Sequence, residues 1–193
     1  MNNEQSITLP KEYLSIKEFT ETSGFTMASD ILTGSLLRTL AATKPSSKFL
    51  ELGTGTGLST SFILDGMDKE STLISIDNDK EFLSIASKYL GGDGRLTLEM
   101  VDGEKWVKNN LKSKFDFIFA DTWHGKYLLL DEVLSMLSPG GIYFIDDMLP
   151  QQNWPDGHND KVDKLVLELE KKSDLKITKQ FWSTGIIIGV KTS

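Results

Sequence analysis

Short apolar runs alternate along the chain with segments whose apolar residues recur at helical spacing. From Lys48 onward, strands are predicted at KFLEL, TLISI, LTLEM, FDFIFA and GIYFI. FDFIFA and GIYFI show little polar alternation, as expected of strands that are covered by helices on both faces. The intervening segments have the period of amphipathic helices, which are predicted from about Leu58, over Lys80–Leu90, and over residues 104–111, 127–137 and 161–171.

Two further strand-like runs, residues 175–182 and 185–190, are separated only by Ser183 and Thr184, a spacing that suits a β-hairpin. Five strand–helix units followed by a hairpin predict a doubly wound α/β fold. Its seven-stranded sheet is mostly parallel, has helices on both faces, and takes up the last strand in the antiparallel direction.

The chain before Lys48 is expected to be helical. Ser29 is predicted to cap a helix whose apolar residues, including Ile31 and Leu40, share one face, and which ends before Pro45. We expect residues 1–45 to form a helical cap over one end of the sheet and residues 46–193 to form one compact domain. The cluster of Pro, Gly and Asn at residues 150–159 is expected to be a loop inside that domain.

Composition narrows the classes of function. The net charge of −7 over 193 residues disfavours binding to nucleic acid. The absence of cysteine excludes disulfides and thiolate metal sites, so a bound metal would be one that prefers oxygen ligands. The first residues lack the build of a secretion signal, and no apolar run approaches the roughly 20 residues that span a bilayer. We expect a cytoplasmic protein with no nucleic-acid or membrane partner, and a homodimer stays open.

A glycine-rich segment, FLELGTGTGLST, joins the first strand to the next helix and carries Gly53, Gly55 and Gly57. Glycine permits positive φ angles and close approach of a ligand, whose carboxylate or phosphate can bind the N–H groups of the helix. The dinucleotide motif G-x-G-x-x-G is not met, because Leu58 stands where its third glycine belongs. The pattern E-x-G-x-G-x-G, which begins at Glu51, instead resembles the first motif of class I, Rossmann-like S-adenosylmethionine-dependent methyltransferases.

This resemblance implies that the loop wraps the amino-acid part of S-adenosylmethionine and that Ser59 binds its carboxylate. Asp77, at the end of the second strand, would accept both ribose hydroxyls, although it could also cap the next helix. Asp102 would meet the adenine amino group, and Trp106 would either stack nearby or belong to the core. The cofactor-binding residues implied in this way are Glu51, Gly53, Thr54, Gly55, Gly57, Ser59, Asp77, Asn78, Asp102, Gly103 and Asp121.

Three carboxylates, Asp121, Asp146 and Asp147, follow the fourth and fifth strands, at the sheet edge where ligands bind. They would repel one another unless a cation or a proton lies among them, and Mg²⁺ or Ca²⁺ would meet that need. The same positions resemble those of cation-dependent O-methyltransferases that act on catechols and caffeoyl-CoA. In those families an Asp and an Asp-Asn pair hold the metal, so Asp147 stands where Asn is usual.

The base is expected close to Asp121. The resembling families have Lys three residues after the metal aspartate, where this chain has His124, with Lys126 two residues further on. His124 is the candidate base, because an ordinary imidazole accepts a proton at neutral pH more readily than lysine does. Lys126 is its substitute, and His124 could instead be a loop residue bonded to backbone.

Aromatic residues flank the same sheet edge. Tyr127, six residues after Asp121, follows the family spacing. Trp123 and Trp154 could form a wall for an aromatic acceptor or simply pack their loops, and His158 could face solvent or belong to a lid.

The combined interpretation is an S-adenosylmethionine-dependent enzyme that methylates a hydroxyl of a small molecule with help from a divalent cation. The main alternative is a metal-independent methyltransferase in which the aspartates bind substrate or cap helices. An NAD-dependent oxidoreductase is disfavoured by Leu58 and by the C-terminal hairpin. A protein that binds the cofactor without catalysis is a further alternative, and the fold does not identify the acceptor.

Overall fold

A computed structural model describes residues 6–151 and 154–193 of the chain. Residues 1–5 of the predicted cap and residues 152–153 of the predicted loop lie outside the described residues. None of the described helices is long and apolar enough to cross a membrane. The elements in chain order are α1 (Tyr13–Ser23), α2 (Ile31–Ala41), β1 (Lys48–Leu52), α3 (Leu58–Gly66), β2 (Thr72–Asp77), α4 (Lys80–Leu90), β3 (Leu96–Met100), α5 (Gly103–Asn109), β4 (Phe115–Ala120), α6 (Leu130–Ser135), β5 (Leu137–Ile145), α7 (His158–Glu170), β6 (Leu175–Gln180) and β7 (Ile186–Lys191).

The seven strands form one sheet in the order β3-β2-β1-β4-β5-β7-β6. Strands β1 to β5 are parallel, and β7 lies antiparallel between β5 and β6. The predicted doubly wound sheet with its antiparallel hairpin strand is therefore confirmed. Because β1 pairs with β2 on one side and with β4 on the other, the strand order reverses there. The crevice at the carboxyl ends of β1 and β4 is where open α/β sheets bind ligands.

Alternate residues of each central strand enter two separate apolar cores, one on each face of the sheet. In β1, Phe49 belongs to the core that includes residues of α1 to α4. Its neighbour Leu50 belongs to the opposite core, with residues of α5 to α7. Ile16 of α1 and Leu37 of α2 are fully buried in the first core. The N-terminal helices thus share the core of a sheet face, and a separate cap at residues 1–45 stays a prediction.

Some boundaries and one cap differ from the sequence prediction. Ser29 does not cap α2; Asp30 does, because its carboxylate accepts a hydrogen bond from the Thr33 N–H at 2.8 Å. The helix predicted over residues 127–137 is shorter, since Leu129 takes a left-handed conformation (φ 56°) just before α6.

Small residues allow α2 and α3 to pack closely. A Cβ atom on Gly66 would lie 2.2 Å from the backbone oxygen of Arg38, and one on Gly34 would lie 2.3 Å from the Phe62 ring. The first contact involves backbone, so it cannot be relieved by a side-chain rotation. Helix α3 follows the glycine loop directly, and its contact with α2 therefore helps to fix the position of that loop.

We expect Gly66→Ala to lower the free energy of unfolding by roughly 1–3 kcal/mol, the usual cost of overpacking. Gly92→Ala is the matched control, because a Cβ there meets no atom within 4 Å. It should change stability by less than about 0.5 kcal/mol. Urea unfolding followed by circular dichroism measures both, and equal stabilities would contradict the proposed close contact.

Candidate active site

A cavity of about 460 Å³ opens at the carboxyl ends of the central strands. The glycine loop, the ends of β2, β4 and β5, the segment before α2 and the loop before α7 all contribute to its lining. Of the residues predicted for the site, those that line it are Gly53, Thr54, Gly55, Ser59, Asp77, Asn78, Asp121, Lys126 and Asp147. The remaining predicted residues are Glu51, Gly57, Asp102, Gly103, His124 and Asp146, and none of them lines it.

The glycine loop brings the end of β1 against the end of β4. Gly53 has φ 106°, and a Cβ there would lie 2.6 Å from the Thr122 side chain and 3.0 Å from the Asp121 backbone oxygen. Only glycine permits this approach. A Cβ on Gly57 would lie 3.0 Å from Ala86 of α4, so glycine at this position allows α4 to pack against the loop. Gly57 does not line the cavity, and its contact with the cofactor stays a prediction.

Glu51 is fully buried and lies behind the glycine loop. Its carboxylate accepts hydrogen bonds from the hydroxyls of Ser59 (2.6 Å), Thr60 (2.6 Å) and Ser75 (2.5 Å). Burial raises the pKa of Glu51 to about 7, against the opposing effect of these hydroxyl donors. Glu51 thus fixes the start of α3 against β2, and its direct contact with the cofactor stays a prediction.

Asp77 lies at the end of β2 and holds the loop through its carboxylate. Its two oxygens accept backbone hydrogen bonds from Gly55 at 2.7 Å and from Asp79 at 2.8 Å. Asp79, and not Asp77, caps α4, because its carboxylate accepts from the N–H groups of Glu81 and Phe82. Asp77 lines the cavity, and each of its oxygens can accept a further hydrogen bond, so a role in binding ribose is compatible with this arrangement.

The residues after β3 cap a helix and pack in the core, outside the lining of the cavity. Asp102 caps α5 by accepting a hydrogen bond from the Lys105 N–H at 2.9 Å. Trp106 is buried in the core and donates to Glu99 at 3.0 Å, so it does not stack on a ligand. The His124 ring rests against Gly103, where a Cβ would lie 2.5 Å from Nδ1. The predicted positions for the adenine contact and for the first-choice base are thus outside the cavity.

Three acidic residues and one lysine form a charged cluster at the cavity, which all but Asp146 line. The Lys126 ammonium lies 3.4 Å from Asp121 Oδ1 and donates to the backbone oxygen of Asp146 at 2.9 Å. Asp121 Oδ2 accepts from the Ser29 hydroxyl at 3.1 Å. Asp146 is buried and accepts from the Thr184 hydroxyl and from the backbone N–H of its neighbour Asp147.

The electrostatics of this cluster follow from burial and from the opposing charges. Burial raises the pKa of Asp121, which the other two aspartates raise further and Lys126 lowers. Burial likewise raises the pKa of Asp146, and the nearby Asp147 acts in the same direction. Asp147 lines the cavity in a left-handed conformation (φ 59°), and its carboxylate accepts no hydrogen bond from the described residues.

The predicted metal ligands do not fit a divalent cation as they lie. In residues 6–151 and 154–193, no three His, Asp or Glu side chains are arranged to hold a metal ion. Donors from Ser29, Thr184 and Lys126 already occupy lone pairs of Asp121 and Asp146 that a cation would need. The positive charge inside the group of aspartates comes from Lys126.

Aromatic rings line one side of the cavity. Trp154 and His158 have ring centroids 4.5 Å apart, and Tyr127 packs against both His158 and Trp123, at 5.2 and 5.7 Å. The Tyr127 hydroxyl lies 3.1 Å from His158 Nε2. His158 is 9% exposed, so it does not face solvent. These four side chains are called the aromatic wall below.

Comparison with known proteins identifies the family. Residues 50–148, just over half of the chain, match a family model described as a methyltransferase domain. The chain belongs to this methyltransferase family. The class I S-adenosylmethionine-dependent enzyme that the glycine loop resembles is thereby confirmed, and an NAD-dependent oxidoreductase is ruled out. No curated protein sequence matches the methyltransferase.

Solved structures share the fold of the methyltransferase at low sequence identity. The O-methyltransferase TomG from Streptomyces achromogenes, involved in tomaymycin synthesis and bound to S-adenosylmethionine, has a TM-score of 0.82 at 18% identity, covering 97% of this chain and 92% of its own. An O-methyltransferase from Bacillus cereus bound to S-adenosylhomocysteine has a TM-score of 0.82 at 16% identity, with 96% and 93% covered. The Podospora anserina methyltransferase PaMTH1, also bound to S-adenosylhomocysteine, has 0.82 at 20%, with 98% and 92% covered.

Sequence reasoning missed one whole side of the methyltransferase cavity. The segment between α1 and α2 reaches across to the glycine loop, so that Phe25 and Ser29 line the cavity. Phe25 packs on Phe82 of α4 with ring centroids 4.6 Å apart. No motif marks this segment, whose relation to predicted residues lies in contacts distant in sequence: Ser29 donates to Asp121, and a Cβ on Gly55 would lie 2.8 Å from the Phe25 ring.

The free energy of unfolding should fall as the pH rises from about 4.5 to about 7, because the folded protein holds the Glu51 proton more tightly than the unfolded chain does. Glu51→Gln should reduce this fall, since glutamine does not titrate. Urea unfolding at acid and mildly alkaline pH measures the difference. The exposed Glu168→Gln is the control and should follow the wild type; an unchanged pH dependence in Glu51→Gln would contradict a raised pKa.

Asp77→Asn should weaken binding of S-adenosylhomocysteine at least about tenfold, because hydrogen bonds to a charged group contribute roughly 1.5–3 kcal/mol. Asp102→Ala should cost about 1 kcal/mol of stability through the lost helix cap and leave the affinity nearly unchanged. Isothermal titration calorimetry and urea unfolding separate the two effects. Comparable losses of affinity in both variants would restore the adenine contact predicted for Asp102.

Proposed function

We propose that the methyltransferase transfers a methyl group to a hydroxyl of a small molecule that carries a planar ring. The observation that carries this proposal is that one cavity is lined by the glycine loop, by the aromatic wall and by the carboxylate of Asp147, which accepts no hydrogen bond from the described residues. A volume of about 460 Å³ is in the range of small-molecule sites. Two structural neighbours are named as O-methyltransferases, which favours oxygen as the acceptor atom.

The methyl donor would be held by the residues that line the sheet edge at β1 and β2. Helix α3 begins at Leu58, directly after Gly57, and no side chain caps its first turn, so its N–H groups remain for a carboxylate. The Ser59 hydroxyl is used by Glu51, which leaves the Ser59 backbone N–H for that role. Asp77 would accept the ribose hydroxyls. When bound, S-adenosylmethionine supplies a methyl group on a positively charged sulfur, and this sulfur would be the leaving group when the acceptor oxygen binds the methyl carbon.

The proton of the acceptor hydroxyl would pass to Asp147. Its carboxylate lines the cavity and accepts no hydrogen bond from the described part of the chain, so both oxygens are available. His124 does not line the cavity, and Lys126 is used as a hydrogen-bond donor to Asp121 and Asp146. A correctly placed base contributes about 10²- to 10⁴-fold to such a reaction.

The aromatic wall would orient the acceptor, which would enter the cavity beside the exposed ring of Trp123. Trp123 is 45% exposed, with its ring partly covered by the Lys161 ammonium at 4.0 Å. Planar rings prefer to stack on or edge against other aromatic rings. Held in this way, an acceptor loses little further freedom in reaching the geometry for attack, and orientation of this kind supplies up to roughly 7–11 kcal/mol.

Three expectations about domain division, location and oligomeric state are not tested by the structure. Division of the chain at residue 45, a cytoplasmic location and a homodimer stay predictions. Phe25 and Ser29, in the N-terminal part, line the cavity. We infer that Phe25 and Ser29 contribute to the site and that residues 46–193 do not complete it alone.

Product analysis tests the proposal. The enzyme is incubated with S-adenosylmethionine and matched sets of ring-bearing phenols and alcohols, their open-chain counterparts, and the corresponding amines and thiols. Mass spectrometry identifies the methylated atom, and release of S-adenosylhomocysteine gives the rate. We expect O-methylated, ring-bearing products. Methylation only of nitrogen or sulfur, or equal rates with open-chain alcohols, would contradict the proposal.

Asp147→Asn should lower kcat at least about 100-fold, because the amide does not accept the proton, while S-adenosylhomocysteine still binds. His124→Asn is the matched control and should retain kcat within about threefold. Steady-state kinetics with the best acceptor and calorimetry with S-adenosylhomocysteine measure both. A severe loss in His124→Asn with a normal rate in Asp147→Asn would return the role of base to His124.

A further inference from the structure

We propose that Lys126 takes the place of the divalent cation that the resembling O-methyltransferases use. Its ammonium group supplies the positive charge among Asp121, Asp146 and Asp147 and binds the acceptor oxygen directly. The role in acceptor binding rests on the proposed O-methyl transfer. The exclusion of a metal ion from the aspartates does not rest on the proposed O-methyl transfer. Acceptor binding by Lys126 and exclusion of the metal ion can therefore be tested separately.

The position of Lys126 is fixed by the turn that follows β4. Gly125 has φ 85°, and a Cβ there would lie 3.1 Å from both Ala120 and Leu52. The backbone of this glycine donates to Leu128 at 2.7 Å and accepts a hydrogen bond from the buried hydroxyl of Tyr143. The turn is therefore held from two sides, and it places the next side chain, Lys126, at the lining of the cavity.

The Lys126 side chain is almost completely buried among acidic groups. It is 5% exposed, and its Nζ atom lies 3.4 Å from Asp121 Oδ1 and 2.9 Å from the Asp146 backbone oxygen. A buried ammonium persists only where paired charges and hydrogen bonds offset its desolvation. A divalent cation bound to the same oxygens would lie within a few ångströms of this ammonium, and the two positive charges would repel each other.

The other hydrogen-bond donors around the aspartates also disfavour binding of a metal ion. Ser29 occupies one oxygen of Asp121, and Thr184 with the Asp147 N–H occupies one oxygen of Asp146. Metal sites need lone pairs that point to one common position. In this cluster donors of the chain already bind both oxygens of Asp121 and one oxygen of Asp146, so these three oxygens are not directed to one common position.

An ammonium group has three N–H donors. Two of them are directed to Asp121 and Asp146, and the third has no acceptor among residues 6–151 and 154–193. Since Lys126 lines the cavity, this third N–H is available to the acceptor oxygen. The hydroxyl would donate to Asp147 while accepting from Lys126, so the charge that develops on oxygen as its proton leaves is stabilised without a metal.

Calorimetric titration of the purified full chain with Mg²⁺ and with Ca²⁺, with and without S-adenosylhomocysteine, is the direct test. The wild type should show no saturable heat at millimolar cation. Lys126→Met keeps a side chain of similar length without the charge, and should bind either cation at least about tenfold more tightly. Lys105→Met removes the same charge from the exposed surface of α5 and should behave as the wild type.

A second measurement does not depend on the variant folding. Methyl transfer by the wild type should be unchanged after treatment with EDTA, and added Mg²⁺ should not raise it. Saturable binding of a cation by the wild type, loss of activity with EDTA, or a folded Lys126→Met that gains no cation affinity would each overturn the proposal. Failure to find any methylated acceptor, with the titrations as expected, would remove only the proposed function.

Discussion

Burial of carboxylates at the edge of the sheet is the constraint around which the site is built. Glu51 and Asp146 are at most 1% exposed, and the Asp121 side chain is 12% exposed. Each such ion costs several kcal/mol unless hydrogen bonds or an opposite charge offset its desolvation. The chain uses both means. Three hydroxyls surround Glu51, and the Lys126 ammonium and the Ser29 hydroxyl bond the Asp121 carboxylate.

The hydroxyls around Glu51 and the ammonium of Lys126 each fix one half of the cavity. The hydroxyls around Glu51 connect β1, the start of α3 and β2, so the glycine loop between them has little freedom. On the other side of the cavity, Lys126 connects the turn after β4 to the end of β5. Gly53 brings the two halves together, since any side chain there would meet Thr122. The glycine loop and the ends of β4 and β5 are thus held against each other, as the proposed in-line transfer would require.

The fold could be predicted from the sequence because its signals are local. Buried parallel strands are continuous apolar runs, and the glycine loop needs positive φ angles that few residues adopt. The failures all depend on contacts distant in sequence. Nothing near Asp102 shows that it caps α5 instead of facing the cavity, and Ser29 meets Asp121 across 92 residues. The sequence places His124 and Lys126 on the same short loop, and only the φ angle of Gly125 and its bond to Tyr143 decide which side chain enters the cavity.

A tethered cation and an exchangeable one stabilise a developing oxyanion in different ways. A bound metal ion is a Lewis acid whose occupancy depends on its concentration, whereas a lysine on a fixed turn is always present and acts as a hydrogen-bond donor. The lysine carries half the charge of a divalent ion, so it offsets fewer carboxylates. The substitution of Asp for the usual Asn at position 147 accords with the proposed lysine in place of a metal, because a single positive charge leaves room for a carboxylate that accepts no hydrogen bond from the described residues.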